Sequence, residues 1–344
     1  MIANEHDLNE RLSRPSAATV DLLRQTSGDF LVIGAGGKMG PTLARLLRRA
    51  ADLADTDQPA KQRRIIAVSR FRDADALRSL TAAKVETLQG DLFDRGFVDS
   101  LPECPNVIYM VGQKFGTSND ASPTWAVNAF LPGVICQRFP RSRFVTFSTG
   151  NVYPLVPIQS GGSVESDPLL PVGEYAMTAV ARERIFSHFS QQLEIPMVIL
   201  RLNYAVELRY GVLLDLAQKI NLQQPISLAM GYLNCIWQGD ANDMAVRSLA
   251  YAESPARVLN LTGPGTLSCR EICCRLAERL GKQVDFVDQE AETALLNNAQ
   301  QTHRLLGAPA VSLEQTLDWT ADWVARGQPT WQRPTHFEVR DGQF

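Results

Sequence analysis

The 344-residue chain has little that would tie it to a membrane, the secretory pathway or nucleic acid. Its six cysteines are too few for a disulfide scaffold, and no apolar run approaches the about 18–20 residues of a bilayer-spanning helix. The polar, acidic N-terminus lacks the apolar segment of a secretory signal. A net charge of −3 offers no basic excess to attract nucleic acid or an anionic membrane. We therefore expect a cytoplasmic protein with reduced thiols and neither nucleic acid nor membrane as a partner.

Histidine and clustered metal ligands are also scarce. None of the four histidines falls in a motif, so a Ser-His-Asp hydrolase is unsupported. Cys269, Cys273 and Cys274 lie close together, but no second cysteine pair or histidine cluster completes a metal site. Such thiols are more typical of a buried helix face, and we expect no metal.

Strand-like apolar runs alternate with helical periodicity as far as residue 204. Strands are expected at 29–33, 64–68, 85–88, 106–111, 143–147 and 197–202, and helices at 41–54, 74–82, 124–139 and 174–193. Alternation at this spacing is typical of parallel βαβ units. The sequence therefore predicts an α/β fold with a doubly wound parallel sheet of the Rossmann type.

The regular alternation fades in the last third of the chain, which indicates a second, smaller domain. We expect a leader at 1–27 and a Rossmann domain at 28–203, joined by about 234–263. Residues 204–233 and 264–327 are expected to form a smaller, partly interleaved substrate domain. The segment 328–344 has two prolines and no period, and is predicted to be a surface tail.

The motif GAGGKMG, residues 34–40, follows the first strand and opens a helix. Gly34, Gly37 and Gly40 permit a tight turn and let a pyrophosphate approach the free amides of the helix N-terminus. Lys38 and Met39 belong to the same turn. A glycine triplet in this strand–turn–helix setting predicts a dinucleotide site.

The second strand ends without the carboxylate that would bind an unphosphorylated ribose. Ser69 and Arg70 stand there instead, and a guanidinium suits a 2′-phosphate, so NADP(H) is favoured over NAD(H). The alternative is that Arg70 is a solvent-exposed loop charge. Asp91, followed by Leu92 after the third strand, could reach the adenine amino group or could cap the next helix.

Between residues 28 and 325 the chain resembles the extended short-chain dehydrogenase/reductases, in particular the NAD(P)-dependent epimerase/dehydratase family. The resemblance rests on an ordered set of motifs: GAGGKMG at 34–40, GDLFD at 90–94, VIYMVG at 107–112, AVNAF at 126–130, FSTGNVYP at 147–154 and VESDPLLPVGEY at 164–175. It implies that Leu92, Val111, Gly112 and Asn128 help to form the cofactor site, with Asn128 as a structural asparagine that shapes it. It also implies a homodimer built by helices near 124–139 and 174–192.

The same resemblance implies that Thr149 binds the substrate oxygen and that Tyr175 moves the proton. In the family a lysine four residues after the tyrosine lowers the tyrosine pKa, but Ala179 stands at that position here. The chain has six lysines, and none lies between Lys114 and Lys219.

Two cations are conceivable replacements for the missing lysine. Arg182 shares a helix face with Tyr175, and Lys114 follows the fourth strand, whose carboxyl end faces the site. The alternatives are that Arg182 pairs with a neighbouring acid and that Lys114 is a surface residue. Restoring lysine at Ala179 is expected to raise turnover if the pocket has room.

Residues after the sixth strand are candidates for substrate binding. Asn203 and Arg209 lie there with Lys114 opposite, and Arg209 could bind an anion bidentately or could be an ordinary surface arginine. We expect an NAD(P)-dependent oxidoreductase, epimerase or dehydratase that acts on a hydroxyl or carbonyl carbon of a sugar-like or small polar substrate. The alternative is a catalytically impaired dinucleotide-binding sensor or scaffold, which the loss of the lysine at Ala179 would favour.

Overall fold

The computed structural model describes residues 1–56, 63–114 and 120–342, so residues 343–344 of the predicted tail lie outside the described residues. The strands are β1 (Phe30–Ile33), β2 (Ile65–Ser69), β3 (Glu86–Gln89), β4 (Asn106–Tyr109), β5 (Arg143–Thr149), β6 (Val156–Pro157), β7 (Met197–Leu202), β8 (Ala205–Val206), β9 (Ile226–Ser227), β10 (Tyr232–Leu233), β11 (Ile236–Trp237), β12 (Arg257–Leu261), β13 (Leu267–Ser268), β14 (Phe286–Val287) and β15 (Thr293–Ala294).

Helices cover the sheet and build the second half of the molecule. They are α1 (Glu5–Leu12), α2 (Ala17–Gln25), α3 (Gly40–Ala54), α4 (Ala74–Ala82), α5 (Arg95–Ser100), α6 (Ser122–Trp125), α7 (Leu131–Arg138), α8 (Gly173–Gln192), α9 (Val212–Asn221), α10 (Gln238–Ser248), α11 (Cys269–Leu280), α12 (Gln300–Leu306) and α13 (Leu313–Ala325). A π-helical turn, Ala126–Phe130, joins α6 to α7.

Seven strands form one parallel sheet in the order β3–β2–β1–β4–β5–β7–β12. The strand order reverses between β1 and β4, and ligands bind at such a switch point in open α/β sheets. Because all seven strands are parallel, their carboxyl ends lie along one edge of the sheet. The predicted doubly wound Rossmann fold is confirmed.

The apolar strands are buried because helices cover both faces of the sheet. On one face Leu43 and Leu47 of α3 pack with Met244 of α10. On the other face Ile135 of α7 and Phe186 of α8 pack against the strands. These two layers hold the loops at the carboxyl edge in place.

The second half has a core of its own, to which α9, α11 and α13 contribute. The predicted leader forms α1 and α2, which pack against α3 and α10. Ser16 and Thr19 donate hydrogen bonds from their hydroxyls to Asp243 at 2.9 and 2.5 Å, so α2 is fixed to the Rossmann half.

Two segments differ from the sequence expectation. The single helix predicted over 124–139 is interrupted by the π-helical turn, where Pro132 opens α7. The predicted surface tail is not confined to the surface, because Thr335 and Phe337 are only 5% and 4% exposed. Among the helices that the structure describes, none combines the length and apolarity that crossing a membrane requires.

Candidate active site

The glycine-rich turn lies between β1 and α3, and two of its glycines are required by the fold itself. Gly34 has a φ of +89°, and a Cβ there would lie 2.8 Å from the backbone nitrogen of Val111. Gly40 packs so closely on the preceding turn that a Cβ would lie 2.5 Å from the carbonyl oxygen of Ala35. Any side chain at either position would clash with these backbone atoms and push the two segments of backbone apart.

Gly37 is different, because no described residue crowds it. A Cβ there would meet only the carbonyl oxygen of Gly34, at 3.4 Å, and the residue is exposed. Helix α3 begins beside it with Pro41 in its first turn and no side chain capping its amides. Open space above a glycine at an uncapped helix N-terminus fits the pyrophosphate of a dinucleotide.

Lys38 leaves this turn and reaches the second half of the molecule. Its Nζ donates a hydrogen bond to the carbonyl oxygen of Ala205 at 2.6 Å and lies 4.4 Å from the ring centroid of Tyr210. Burial lowers the pKa of Lys38 to about 8. The side chain of Met39 is buried in the core. The two residues therefore offer a ligand their backbone, while their side chains tie the turn in place.

The residues predicted to meet the adenosine end lie together at the ends of β2 and β3. A Cβ on Gly36 would lie 2.6 Å from Ser69 Oγ, so the glycine-rich turn and the end of β2 touch. The Arg70 guanidinium lies 3.8 Å from the Asp91 carboxylate, and about half of each side chain is exposed. Asp91 also accepts a hydrogen bond from the Phe93 amide at 3.0 Å, but Asp94 is the residue that caps α5, so the capping role left open for Asp91 belongs to Asp94.

Asn128, on the π-helical turn, fixes the loop that follows β4. Its Oδ1 accepts a hydrogen bond from the Gln113 amide at 2.9 Å, and its Nδ2 donates to the Gln113 carbonyl at 3.0 Å. Nδ2 also donates to Thr178 Oγ1 on α8 at 2.9 Å. Asn128 is fully buried. One side chain therefore clamps this loop to the helix that carries Tyr175.

Arg182 is part of the same clamp. Its Nη2 donates to Asn128 Oδ1 at 2.6 Å and its Nη1 donates to the carbonyl oxygen of Phe147 on β5 at 3.0 Å. Gly112 lies directly over this guanidinium, because a Cβ there would be 2.8 Å from Nη2. Leu92 and Val111 pack nearby against the core of this sheet face. Arg182 is thus built into the scaffold beneath the loop after β4.

Lys114 comes directly after the clamped Gln113 and reaches the predicted catalytic tyrosine. Its Nζ lies 6.0 Å from the ring centroid of Tyr175. Burial lowers the pKa of Lys114 to about 8. The structure therefore brings a lysine to the tyrosine from a loop rather than from the tyrosine's own helix.

Ala179, which stands where the resembling family has its lysine, lies in the protein interior. It is fully buried and packs with Val152 and Tyr153. A lysine at this position would place its stem and charge inside an apolar cluster. We therefore expect a lysine at this position to be costly to bury.

Thr149 ends β5 and keeps its hydroxyl at the carboxyl edge of the sheet. Thr149 Oγ1 donates to Asn151 Oδ1 at 3.1 Å and accepts from the Asn151 amide at 3.2 Å. The neighbouring Ser148 donates instead to Glu183 at 2.5 Å, and Glu183 is paired with Arg201 at 2.8 Å inside the protein. Thr149, with local partners only, is the hydroxyl better placed to turn toward a substrate.

A cavity of about 40 Å³ opens beside Lys114. Its walls come from the Rossmann half, the smaller domain and the C-terminal segment: Lys114, Asn151, Tyr153, Leu155, Val172, Tyr204, Met230, Leu295, Phe337, Val339, Arg340 and Gly342. Sequence reasoning missed most of these residues as site residues. The C-terminal contributors have no periodicity that could have signalled them.

Two predicted substrate contacts lie elsewhere among the described residues. Asn203 donates a hydrogen bond to Asn234 Oδ1 at 2.8 Å in the interior between the two halves. Arg209 pairs with Glu207 at 3.2 Å and stacks over the ring of Trp331 at 5.1 Å. These contacts use both side chains to join elements of the fold.

Comparison with solved structures shows the same fold in enzymes of low sequence identity. UDP-glucuronic acid 4-epimerase from Bacillus cereus, in complex with UDP-glucuronic acid and NAD, has a TM-score of 0.70 and 17% identity, covering 87% of this chain and 99% of that one. A dTDP-glucose 4,6-dehydratase from Streptomyces venezuelae with NAD bound has a TM-score of 0.71 and 19% identity, covering 87% of this chain and 97% of that one. UDP-glucose 4-epimerase from Thermus thermophilus in complex with NAD has a TM-score of 0.69 and 18% identity, covering 87% of this chain and 99% of that one.

A comparison with curated protein sequences finds no match. A family model described as the NAD dependent epimerase/dehydratase family matches residues 30–231, which is more than half of the chain. That span contains the glycine-rich turn, Asn128, Thr149 and Tyr175. The chain therefore belongs to the NAD-dependent epimerase/dehydratase family.

Proposed function

We propose that this protein is an NAD(P)-dependent enzyme of the oxidoreductase, epimerase or dehydratase type, acting on a hydroxyl or carbonyl carbon of a sugar-like or small polar substrate. The observation that carries the proposal is the position of Lys114 Nζ, 6.0 Å from the ring centroid of Tyr175. A cation beside a tyrosine favours its phenolate, so the loss of lysine from α8 leaves the proton-transfer chemistry feasible.

In this proposal Tyr175 takes or gives the proton of the substrate hydroxyl. Lys114 stabilises the phenolate form of Tyr175 electrostatically, and Thr149 donates a hydrogen bond to the substrate oxygen. A nicotinamide held over the glycine-rich turn would supply the hydride chemistry. The clamp through Asn128 fixes Gln113 and so limits where Lys114 can go.

Arg182 takes a positioning role in this scheme rather than the role of the missing lysine. Its two terminal nitrogens hold Asn128 and the end of β5. It therefore supports two catalytic positions at once, the loop that carries Lys114 and the strand that ends in Thr149. A change at Arg182 is expected to act on catalysis through these partners.

The cofactor preference remains a proposal in favour of NADP(H). Arg70 is about half exposed, so its guanidinium is free to rotate from Asp91 toward a 2′-phosphate. The neighbouring carboxylate of Asp91 opposes this preference for NADP(H), because it repels the 2′-phosphate. The structural relatives described above contain NAD, so a comparison of both cofactors is needed.

We also propose a homodimer in a reducing, cytoplasmic compartment. Four large apolar side chains are exposed around α6, the π-helical turn and α8: Phe93, Trp125, Phe130 and Met177. Phe93 and Phe130 stack with ring centroids 6.5 Å apart, and Trp125 donates to Glu174 on α8 at 2.7 Å. Grouped apolar exposure of this kind marks interaction surfaces. All six cysteines are free thiols, which fits a reducing compartment.

The proposal is tested by turnover with a matched variant. Native mass spectrometry of the purified protein is expected to reveal a bound dinucleotide. Panels of sugar nucleotides, sugars, aldehydes and ketones are then assayed with NADPH and NADH, using Tyr175→Phe as the comparison. Turnover that the Tyr175→Phe variant lacks supports the enzyme, whereas dinucleotide binding without turnover in any panel would replace it with the sensor.

A further inference from the structure

The C-terminal segment 328–342, here called the strap, is an integral part of the smaller domain. The amide of Trp331 donates to the carbonyl oxygen of Arg209 at 3.0 Å. Thr335 donates to Asp215 from both its amide and its hydroxyl, at 2.7 and 2.5 Å. Phe337 then inserts into the domain core and is 4% exposed. The strap is therefore anchored by polar and apolar contacts before it reaches the cleft.

Beyond Phe337 the strap crosses the substrate side of the cleft. The Arg340 guanidinium donates to the carbonyl oxygens of Ala229 and Thr293 at 3.1 and 2.8 Å, and to the Thr293 hydroxyl at 2.7 Å. The strap then meets the start of α8, where Gly342 packs backbone against backbone on Gly173. Both glycines have positive φ, and a Cβ on Gly173 would lie 2.5 Å from the Gly342 carbonyl oxygen. This contact is two residues before Tyr175.

The strap leaves a small space next to Lys114. Phe337, Val339, Arg340 and Gly342 form one wall of the cavity, whose volume is about 40 Å³. A water molecule needs about 10–15 Å³ of such volume, and sites for drug-sized ligands span about 300–1,000 Å³. The cavity beside Lys114 therefore has room for only a few non-hydrogen atoms.

The side chains that line the cavity, like its volume, disfavour a nucleoside diphosphate. Leu155, Val172, Met230, Leu295 and Val339 present apolar groups. The cations in the walls are Lys114 and Arg340, and Arg340 already donates to three oxygen atoms of the smaller domain. A diphosphate carries two or more negative charges and would need several donors in place of these groups.

We infer that the strap is a size filter, which restricts this active site to small carbonyl or alcohol substrates and excludes substrates linked to a nucleoside diphosphate. The inference rests on the proposed function and narrows its substrate class. Strap residues determine specificity by occupying space that a nucleotide would need, with Phe337 and Arg340 as the two anchors.

Binding measurements test the filter without requiring catalysis. Calorimetry with UDP-glucose, at saturating cofactor, compares the full chain with the double variant Phe337→Ala/Arg340→Ala and with a chain that ends at Gly327. Arg333→Ala is the matched control, because Arg333 is an exposed strap residue outside the cavity wall. We expect no measurable binding by the full chain or the control, and an affinity increase of about tenfold or more when the strap is released.

Two outcomes would overturn the inference. One is UDP-glucose binding to the full chain with the affinity of the released variants. The other is continued exclusion of UDP-glucose by a double variant whose circular dichroism is unchanged. If the released chains fail to fold, hydrogen exchange of the full chain provides the test. The amides of Trp331 and Thr335 are then expected to be protected like those of α9. Rapid exchange of these amides would contradict a strap that is fixed as a wall of the cavity. Lack of turnover would count against the proposed function and leave these binding results standing.

Discussion

The proposed cofactor side and the proposed substrate side of the cleft are built by different means. On the cofactor side the chain offers bare backbone at Gly37 and an uncapped helix, in an open turn. On the substrate side, side chains from the loop after β4, from the segment that follows β5 and from the strap close on a cavity of about 40 Å³. A backbone site is tied to its strand–turn–helix geometry, whereas a side-chain role can move to another element that reaches the same place. The role proposed for Lys114 beside Tyr175 would be such a move.

The largest expected effect comes from removing that lysine. Lys114→Met should lower kcat/KM by about a thousandfold, because proton transfer by a poorly activated tyrosine loses most of its advantage. Lys38→Met is the matched control, since Lys38 is also buried with a pKa lowered to about 8 but contacts Ala205 and Tyr210. Steady-state kinetics should show a loss of less than about tenfold for the control. Equal losses in both variants would mean that Lys114 has no special relation to Tyr175.

The open turn provides the second test. Gly37→Val should weaken dinucleotide binding by about a hundredfold, since a side chain there occupies the space above the helix N-terminus. Its free energy of unfolding should stay within about 1 kcal/mol of wild type, because none of the residues that the structure describes crowds Gly37. Gly40→Val, where a Cβ would meet Ala35 backbone at 2.5 Å, should instead lower stability by about 2 kcal/mol or more. Unchanged cofactor affinity in Gly37→Val, measured by calorimetry, would remove the turn from the binding site.

Placing a lysine on α8 compares the helix position with the loop position of Lys114. Ala179→Lys should destabilise the protein by about 2–4 kcal/mol, because it buries a charge among Val152 and Tyr153. Gln191→Lys is the control on the same helix, since Gln191 is exposed. It should unfold within about 0.5 kcal/mol of wild type in urea. A stable Ala179→Lys protein with raised turnover would show that the helix position is still usable.

The smallest effect is expected at the adenosine end. Arg70→Ala should weaken NADPH binding by about tenfold and leave NADH binding nearly unchanged, because a half-exposed guanidinium contributes about 1–1.5 kcal/mol to one phosphate. Arg72→Ala, two residues along the same loop, is the control. If the wild-type protein binds NADH more tightly than NADPH, Arg70 does not bind a 2′-phosphate and its role is the ion pair with Asp91.

Much of the fold and part of the site could be predicted from the sequence because they depend on local signals. The apolar run of β1 and the glycines at 34–40 predict a strand, a turn and a helix, and the structure has all three. The clamp of Gln113 by Asn128 joins residues fifteen apart, and the sequence has no local signal for it. The burial of Phe337 likewise depends on a domain core whose members lie far away in the chain.

The central claim is that Lys114 activates Tyr175, and the pH dependence of kcat/KM tests it most directly. Burial lowers the pKa of Lys114 to about 8, so the ammonium is present below pH 8 and is lost above it. Wild-type kcat/KM should therefore fall above a midpoint near pH 8, by about tenfold per pH unit. In Lys114→Arg, whose side chain stays protonated, that fall should move by about two pH units or more to the alkaline side. A decline with the same midpoint in both proteins would contradict the claim.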